Sequence, residues 1–317
     1  MLSDLKECPA MNTASAKKNT VRNSGFTVIE LIIVISTIGL LISLTLPAIH
    51  KAREAARRIA CSSNLRQIGL ALHSYHDTFG ILPRVAYHQW TNPNDWGEGY
   101  SWQTRILPFA EQATLAELID QTDGVERPIT RYYQRYGRTI PGGETRLPLF
   151  RCPSSVLPDV SQNVGPHDIR TQFLGYGTSD YKASGGQDLG YGMFPQGRNY
   201  GRNVRFSDVT DGLSQTLMVG ESSYPGHAGT MFPIWMAYHN DFRSVAFDTL
   251  HPINGVSNFS GQFWTTATWD DCALSMHPGV CLFAFGDGSV RPLSENMDRF
   301  IYSMLGSISD GHVLNLD

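Results

Sequence analysis

The sequence predicts an α+β protein: one long N-terminal helix, membrane-spanning in its first half, packed on a loop-rich and mainly antiparallel β head. Three observations predict it. From Phe26 to Ile49 the chain reads FTVIELIIVISTIGLLISLTLPAI, with Glu30 as its single charge. Apolar residues then continue at helical spacing as far as Phe79. Only four of the 30 glycines and two of the 17 prolines precede residue 81, so the remainder is cut into short segments by turns.

Composition narrows the function classes. With 25 basic and 29 acidic residues the formal net charge is −4, which gives no broad cationic face for a polyanion, and no nucleic-acid partner is expected. Charged residues make up 17% and apolar residues 41%, which excludes a disordered chain. At 317 residues there is length enough for a sizeable core.

The elements follow in chain order. Residues 1–25 are polar and basic, with Lys17, Lys18 and Arg22, and a second basic cluster follows the apolar run at Lys51, Arg53, Arg57 and Arg58. Flanking charge on both sides leaves orientation open. Residues 26–49, as a helix rising about 1.5 Å per residue, span roughly 30 Å or more, the thickness of a bilayer core. The run is too long for a secretory signal's apolar region and lacks a small-residue cleavage site, so an uncleaved signal anchor is the plain alternative.

Pro47 predicts a kink. Residues 50–80 form the amphipathic second half, with Ile49, Ala52, Ala56, Ile59, Ala60, Leu65, Ile68, Leu72 and Phe79 on one stripe, ended by Gly80 and Pro83. Residues 81–317 form the head. A helix is expected over Ser101–Ile119, against the objection of Pro108. Strands are expected at 215–219, 262–266 and 280–285, the last turning through Gly286-Asp287-Gly288 into Ser289-Val290-Arg291 as a β-hairpin. No fixed-period repeat is present.

The octapeptide Ser24-Gly25-Phe26-Thr27-Val28-Ile29-Glu30-Leu31 resembles the processing site of type IV prepilins and of type II secretion pseudopilins. The resemblance implies that a prepilin peptidase cuts after Gly25 and methylates the amine of Phe26. It implies that Glu30 pairs with that amine on a neighbouring subunit during assembly. An ionised acid in hydrocarbon costs several kcal/mol unless paired; stabilisation by the helix dipole, about 0.3–1 kcal/mol, is the simpler role.

Further motifs resemble a large group of pilin-like planctomycete proteins, the domain of unknown function 1559. They are the run CSSNLRQIGLALHSYHD from Cys61, FRCPS from Phe150, FSDVTDGLSQT from Phe206, and His277-Pro278-Gly279 with Asp287-Gly288, an H-x9-DG signature. The resemblance covers nearly the whole chain and implies a pseudopilin-like architecture without an established activity.

Several residues invite chemistry. His277 and Asp287 could be the base half of a hydrolase, but no G-x-S-x-G elbow is present, and a structural link between the two ends of the hairpin is the expected role. His73 and His76, with Asp77, share a helix face; two ligands do not make a metal site, and none is assigned. No cofactor is expected; calcium is the one candidate ion, with Asp208 and Asp211 as oxygen ligands near turns, though EF-hand spacing is absent.

Cys8 would leave with the leader, so the head retains Cys61, Cys152, Cys272 and Cys281. Four thiols allow three pairings. Cys61 with Cys152, and Cys272 with Cys281, is the favoured set, with buried thiols as the alternative. No C-x-x-C is present.

The function expected is a structural, non-enzymatic subunit of a type IV pilus or a type II secretion-like pseudopilus. It would be anchored by a single pass in the inner membrane with the head periplasmic or extracellular. Its partners would be prepilin peptidase, other pilin or pseudopilin subunits and an inner-membrane assembly platform. The rival expectation is a solitary anchored protein that binds a carbohydrate or envelope polymer through Tyr87, Trp90, Trp96 and Trp102.

Overall fold

The computed structural model describes residues 26–87, 98–120, 128–162, 174–187, 190–195, 202–223, 233–239, 245–255 and 272–312. The leader with Gly25, Trp90, Trp96, the side chain of Tyr87 and the strand expected at 262–266 lie outside the described residues. The chain divides into two compact units, Met1–Lys51 and Ala52–Asp317.

Helix α1 runs Val28–Phe79 with Pro47 inside it. In the first unit its large apolar side chains, from Phe26 to Ile49, are 42–74% exposed. Among the described residues α1 is the helix long and apolar enough to cross a membrane. It ends where predicted: Gly80 takes a left-handed φ of +70° and its N–H reaches the carbonyl of His76 at 2.7 Å, a conformation that costs a side chain about 1 kcal/mol or more.

The second unit is built on two sheets. Strands β1 (Ala86–Tyr87), β2 (Glu98–Ser101) and β5 (Ala237–His239) form a small antiparallel sheet in the order β1-β2-β5. Strands β3 (Tyr181–Gly186), β4 (Leu217–Glu221), β6 (Ala246–Asp248), β7 (Val280–Phe285) and β8 (Val290–Ser294) form the main sheet, ordered β6-β3-β4-β7-β8. Every pair in it is antiparallel except β3 with β6. The expected hairpin is β7–β8, in register from Val280 opposite Ser294 to Ala284 opposite Val290. Pro292 is accommodated because β8 is an edge strand.

Strict alternation along β7 divides the core. Leu282 and Ala284 share a cluster with Leu65, Ile68, Leu72 and Met218, whereas Cys281, Phe283 and Phe285 pack with Tyr302 and Leu305 of helix α5 (Arg299–Leu305). The sheet therefore lies between residues 61–75 of α1 and α5. Asp298 caps α5, accepting from the N–H groups of Phe300 and Ile301.

Two expectations are corrected. The buried stripe of α1 is Cys61, Leu65, Ile68, Gly69, Ala71, Leu72 and Tyr75. Ile59 and Phe79, expected on it, are 70% and 57% exposed, because 61–75 is the stretch against which the sheet packs. The single helix expected over 101–119 is instead α2 (Trp102–Ile106), a 3-10 turn at Leu107–Ala110, and α3 (Ala113–Asp120). Pro108 has no N–H to continue the ladder, and Glu111 closes the turn in a left-handed conformation. A further helix, α4, covers Pro128–Tyr136.

Truncating Leu65 or Ile68 to alanine should destabilise the protein by about 2–5 kcal/mol, whereas Ile59→Ala should change it by less than about 0.5 kcal/mol. Urea denaturation of the full chain in detergent checks this; equal losses at all three positions would contradict the packing.

Candidate functional site

The second half of α1 delivers Glu54, Cys61 and His73 at successive heights, and the head answers each. Cys61 is joined to Cys152 by a disulfide that spans 91 residues. Asn64 Nδ2 donates to the carbonyls of Pro148 at 3.1 Å and Arg151 at 2.9 Å, holding the Cys152 loop to the helix. That loop is fixed from its other side by Asp180, which precedes β3. Its carboxylate accepts from the N–H of Cys152 at 2.8 Å and from the hydroxyl of Ser155, and lies 3.3 Å from Nε of the buried Arg151. Burial pushes the Asp180 carboxyl up to about 6, against the opposing pull of Arg151 and of its hydrogen-bond donors.

His277 is the centre of the arrangement and is fully buried. Its Nδ1 lies 2.5 Å from Oε1 of Glu54, and its Nε2 lies 3.2 Å from Oε1 of Glu221 and 3.5 Å from Sγ of Cys152. Glu54 is clamped in turn by Arg57, whose Nε and Nη2 donate to Oε2 at 2.9 and 2.6 Å. Glu221, at the end of β4, accepts on Oε2 from the hydroxyl of Ser275 at 2.8 Å and the N–H of Leu282 at 2.9 Å. Desolvation works against a charged imidazole here, but the hydrogen bonds and charges of Glu221 and Glu54 outweigh it and hold His277 above the ordinary histidine value.

The other end of the motif is a turn. Gly286-Asp287-Gly288 lies between β7 and β8, with Asp287 Oδ1 accepting from the N–H of Ser289 at 2.9 Å and Gly288 at a φ of +82°. His73 Nε2 donates to the carbonyl of Gly286 at 3.0 Å, and a Cβ on Gly288 would stand 3.7 Å from that ring.

The expected link between His277 and Asp287 is therefore not made. Strand β7 is extended between them, and its six residues at about 3.3 Å each keep them roughly 20 Å apart or more. Both ends are tied to α1 instead. Glu54 and His73 are separated by roughly 28 Å of helix; strand β7 supplies roughly 20 Å of the span from His277 to Gly286, and the turn at 277–279 together with the reach of the Glu54, His277 and His73 side chains closes the remainder.

Other sequence-predicted residues are also placed. Cys272 and Cys281, expected to pair, are both buried thiols: Sγ of Cys281 points to the carbonyl of Glu221 at 3.8 Å and Sγ of Cys272 to that of Gly255 at 3.6 Å, so the sulfurs face different carbonyls. His73 and His76 do not converge on a shared ligand position. His76 Nε2 accepts from the N–H of Phe206 at 3.2 Å, its ring stacks on Phe206 at 4.0 Å, and burial holds it below the ordinary histidine value. The carboxylate of Asp208 accepts from the N–H of Arg205, and that of Asp211 from the N–H groups of Asp310 and Gly311 at 2.6 and 3.0 Å, which occupies both in turns. Trp102, which only the rival binding-protein expectation places on the surface, is buried and donates to the carbonyl of Val245 at 3.0 Å.

At the start of α1 the structure adds a detail. Glu30 Oε2 accepts from Thr27 N at 2.8 Å and Thr27 Oγ1 at 2.9 Å, while Thr27 Oγ1 accepts from Glu30 N at 3.3 Å. This is a reciprocal capping box, readable in the spacing T-x-x-E. Phe26 precedes it and is 71% exposed. Sequence reasoning missed Glu54, Asp180 and Glu221. The available signals were an acid inside the basic run 51–58 and an acid closing the apolar strand Leu217–Glu221.

Fold and site together define an α+β protein whose head is fastened along the second half of a long N-terminal helix, the first half of which has the length and apolarity of a membrane span. The chain belongs to the family described as "Protein of unknown function (DUF1559)", whose model matches residues 50–299. No match was found among curated proteins or among solved structures.

His277→Ala would strand the Glu221 carboxylate in the interior, with an expected loss of about 3–5 kcal/mol in denaturant unfolding. The pH dependence has a fixed sign. His277 is raised in the folded state, so its stabilisation is complete below the unfolded value of about 6.5 and is lost as pH rises through the folded value. Asp180, also raised, loses stability in the same direction but at lower pH, up to about 6, and in every variant alike. Wild-type stability should therefore decline as pH rises above about 6.5 more steeply than that of His277→Gln; parallel profiles would contradict the ion pairing.

Proposed function

We propose that this chain is a membrane-anchored structural subunit of the pilin and pseudopilin class, processed between Gly25 and Phe26 and assembled through the apolar half of α1. The observation that carries the reading is the composition and exposure of that half. From Phe26 to Ile49 each large apolar side chain is exposed in the single chain, and the only charge is Glu30, in the first turn. A helix that is apolar all round is at home in lipid or in the core of a bundle of like helices.

Glu30 supports the same reading. Its hydrogen bonds to Thr27 fall on Oε2, and a carboxylate has lone pairs for further donors. In a filament the donor is the methylated amine of Phe26 on the adjacent subunit, in an apolar setting where an unpaired acid costs several kcal/mol. That pairing sets the axial register of one subunit against the next. The partners are then a prepilin peptidase, other subunits of the same class and an inner-membrane assembly platform, with the head on the extracytoplasmic side. The reading is structural and assigns no catalytic residue.

Mass spectrometry of the mature N-terminus is expected to find N-methylphenylalanine at position 26. Glu30→Gln should leave that processing intact and reduce incorporation into filaments by at least about tenfold, the equivalent of 1.4 kcal/mol, in a pull-down of sheared filaments. A mature chain that starts elsewhere, or undiminished incorporation of the variant, would overturn the reading.

A further inference from the structure

The sulfurs of Cys61 and Cys152, Nε2 of His277 and a carboxylate oxygen of Glu221 all lie within 4.8 Å of one another, and all four residues are buried. We propose that in its dithiol form this chain binds one zinc-class divalent cation through Cys61, Cys152, His277 and Glu221, and that the ion and the Cys61–Cys152 disulfide are alternative occupants of one site.

The donor set is the first argument. Two thiolates, an imidazole and a carboxylate suit a tetrahedral Zn²⁺ site, with bonds of about 2.3 Å to sulfur and about 2.0–2.2 Å to nitrogen and oxygen. Those lengths put neighbouring ligand atoms roughly 3.3–3.8 Å apart. Nε2 of His277 is already 3.5 Å from Sγ of Cys152 and 3.2 Å from Oε1 of Glu221. Once the S–S bond is open, rotation of the two cysteine side chains supplies the remaining spacing.

The second argument is the approach of Glu221 to the ring. Oε2 of Glu221 takes two hydrogen bonds, which leaves the buried Oε1 turned to Nε2 of His277 at 3.2 Å. In the disulfide form a proton on Nε2 bridges the two atoms, and in the dithiol form a metal cation takes that proton's place.

The third is the support behind the histidine. Glu54 holds Nδ1 at 2.5 Å and is itself held by Arg57, so a neutral imidazole keeps its proton on Nδ1 and presents the Nε2 lone pair to the cluster. A carboxylate that orients a ligating histidine from behind is the common outer-shell arrangement of zinc sites.

The exchange balances. Binding of M²⁺ to the dithiol releases to solvent the two thiol protons and the proton on Nε2 of His277. A disulfide oxidant later takes two electrons from the two sulfurs, the Cys61–Cys152 bond forms, the oxidant's two sulfurs take two protons from solvent and leave as thiols, M²⁺ leaves, and Nε2 of His277 regains its proton. The inference does not depend on filament assembly.

The test uses the full chain in detergent, with Co²⁺ as the probe and far-ultraviolet circular dichroism on every sample. After phosphine reduction, one Co²⁺ per chain should bind with thiolate-to-cobalt charge-transfer and tetrahedral ligand-field absorption, both abolished by Zn²⁺. The oxidised chain, folded and otherwise identical, should bind at least about 100-fold more weakly, in line with loss of two of four ligands. Glu54→Gln should weaken binding about 10–100-fold while the charge-transfer band stays in place. A folded, reduced chain without that band overturns the proposal. So does the same band in a Cys61→Ser, Cys152→Ser double variant, and so does a reduced chain that is unfolded and gains no structure on addition of the metal.

Discussion

The fit of one extended hairpin to one length of helix is the constraint on which the rest of this head depends. Strand β7 is extended and α1 is regular from Glu54 to His73, so each has a fixed rise per residue, and roughly 20 Å of strand with its two flanking turns is fitted to roughly 28 Å of helix. The agreement lets His277 meet Glu54 at one end while the Gly286 carbonyl meets His73 at the other. Between these ties Leu282 and Ala284 press on the face that carries Leu65, Ile68 and Leu72, so polar anchors and apolar packing specify the same register. A shift of one residue along β7 would exchange Leu282 and Ala284 for Cys281 and Phe283, and would withdraw His277 from its two carboxylates.

The ties differ in kind. At the DG turn the interactions are to backbone, and a left-handed glycine lets the chain reverse beside the His73 ring. At the His277 end they are ionic and centred on a buried ring, with the buried Glu221 and the partly buried Glu54 on opposite sides of it and the Cys61–Cys152 disulfide against it. Buried charge is stable only with its partners in place. Concentrating it where the helix, the Cys152 loop, β4 and the hairpin converge makes that junction sensitive to any error in their placement. The same convergence gathers donors of the kind that hold a metal ion.

Legibility in the sequence followed the range of the forces involved. The long helix, its apolar first half and its end at Gly80 were readable because they rest on local periodicity and on turn chemistry within a few residues. The β7–β8 hairpin was readable for the same reason, as alternation bracketed by glycines. The break at Pro108 was weighed as an objection, and the missing N–H decided it. What sequence could not supply were contacts at long separation. His277 and Asp287 were taken together because they stand in one motif, yet their real partners are 223 residues away for Glu54 and, for the Gly286 carbonyl beside Asp287, 213 residues away at His73. Cys272 and Cys281 were paired by closeness in sequence, whereas the direction of each sulfur is set by the strand and loop that carry it. Glu54 and Glu221 escape that reading because a charged residue reads as surface, whereas the fold shows Glu221 buried and Glu54 partly buried beside His277.

The central claim is that the helix and the hairpin are energetically coupled through the Glu54–His277 pair. A double-mutant cycle of Glu54→Gln and His277→Gln, followed by denaturant unfolding of the full oxidised chain in detergent, measures that coupling directly. The account predicts an interaction free energy of about 1–3 kcal/mol between the two positions. Additivity within about 0.5 kcal/mol would contradict it, because the two side chains would then contribute to the fold independently.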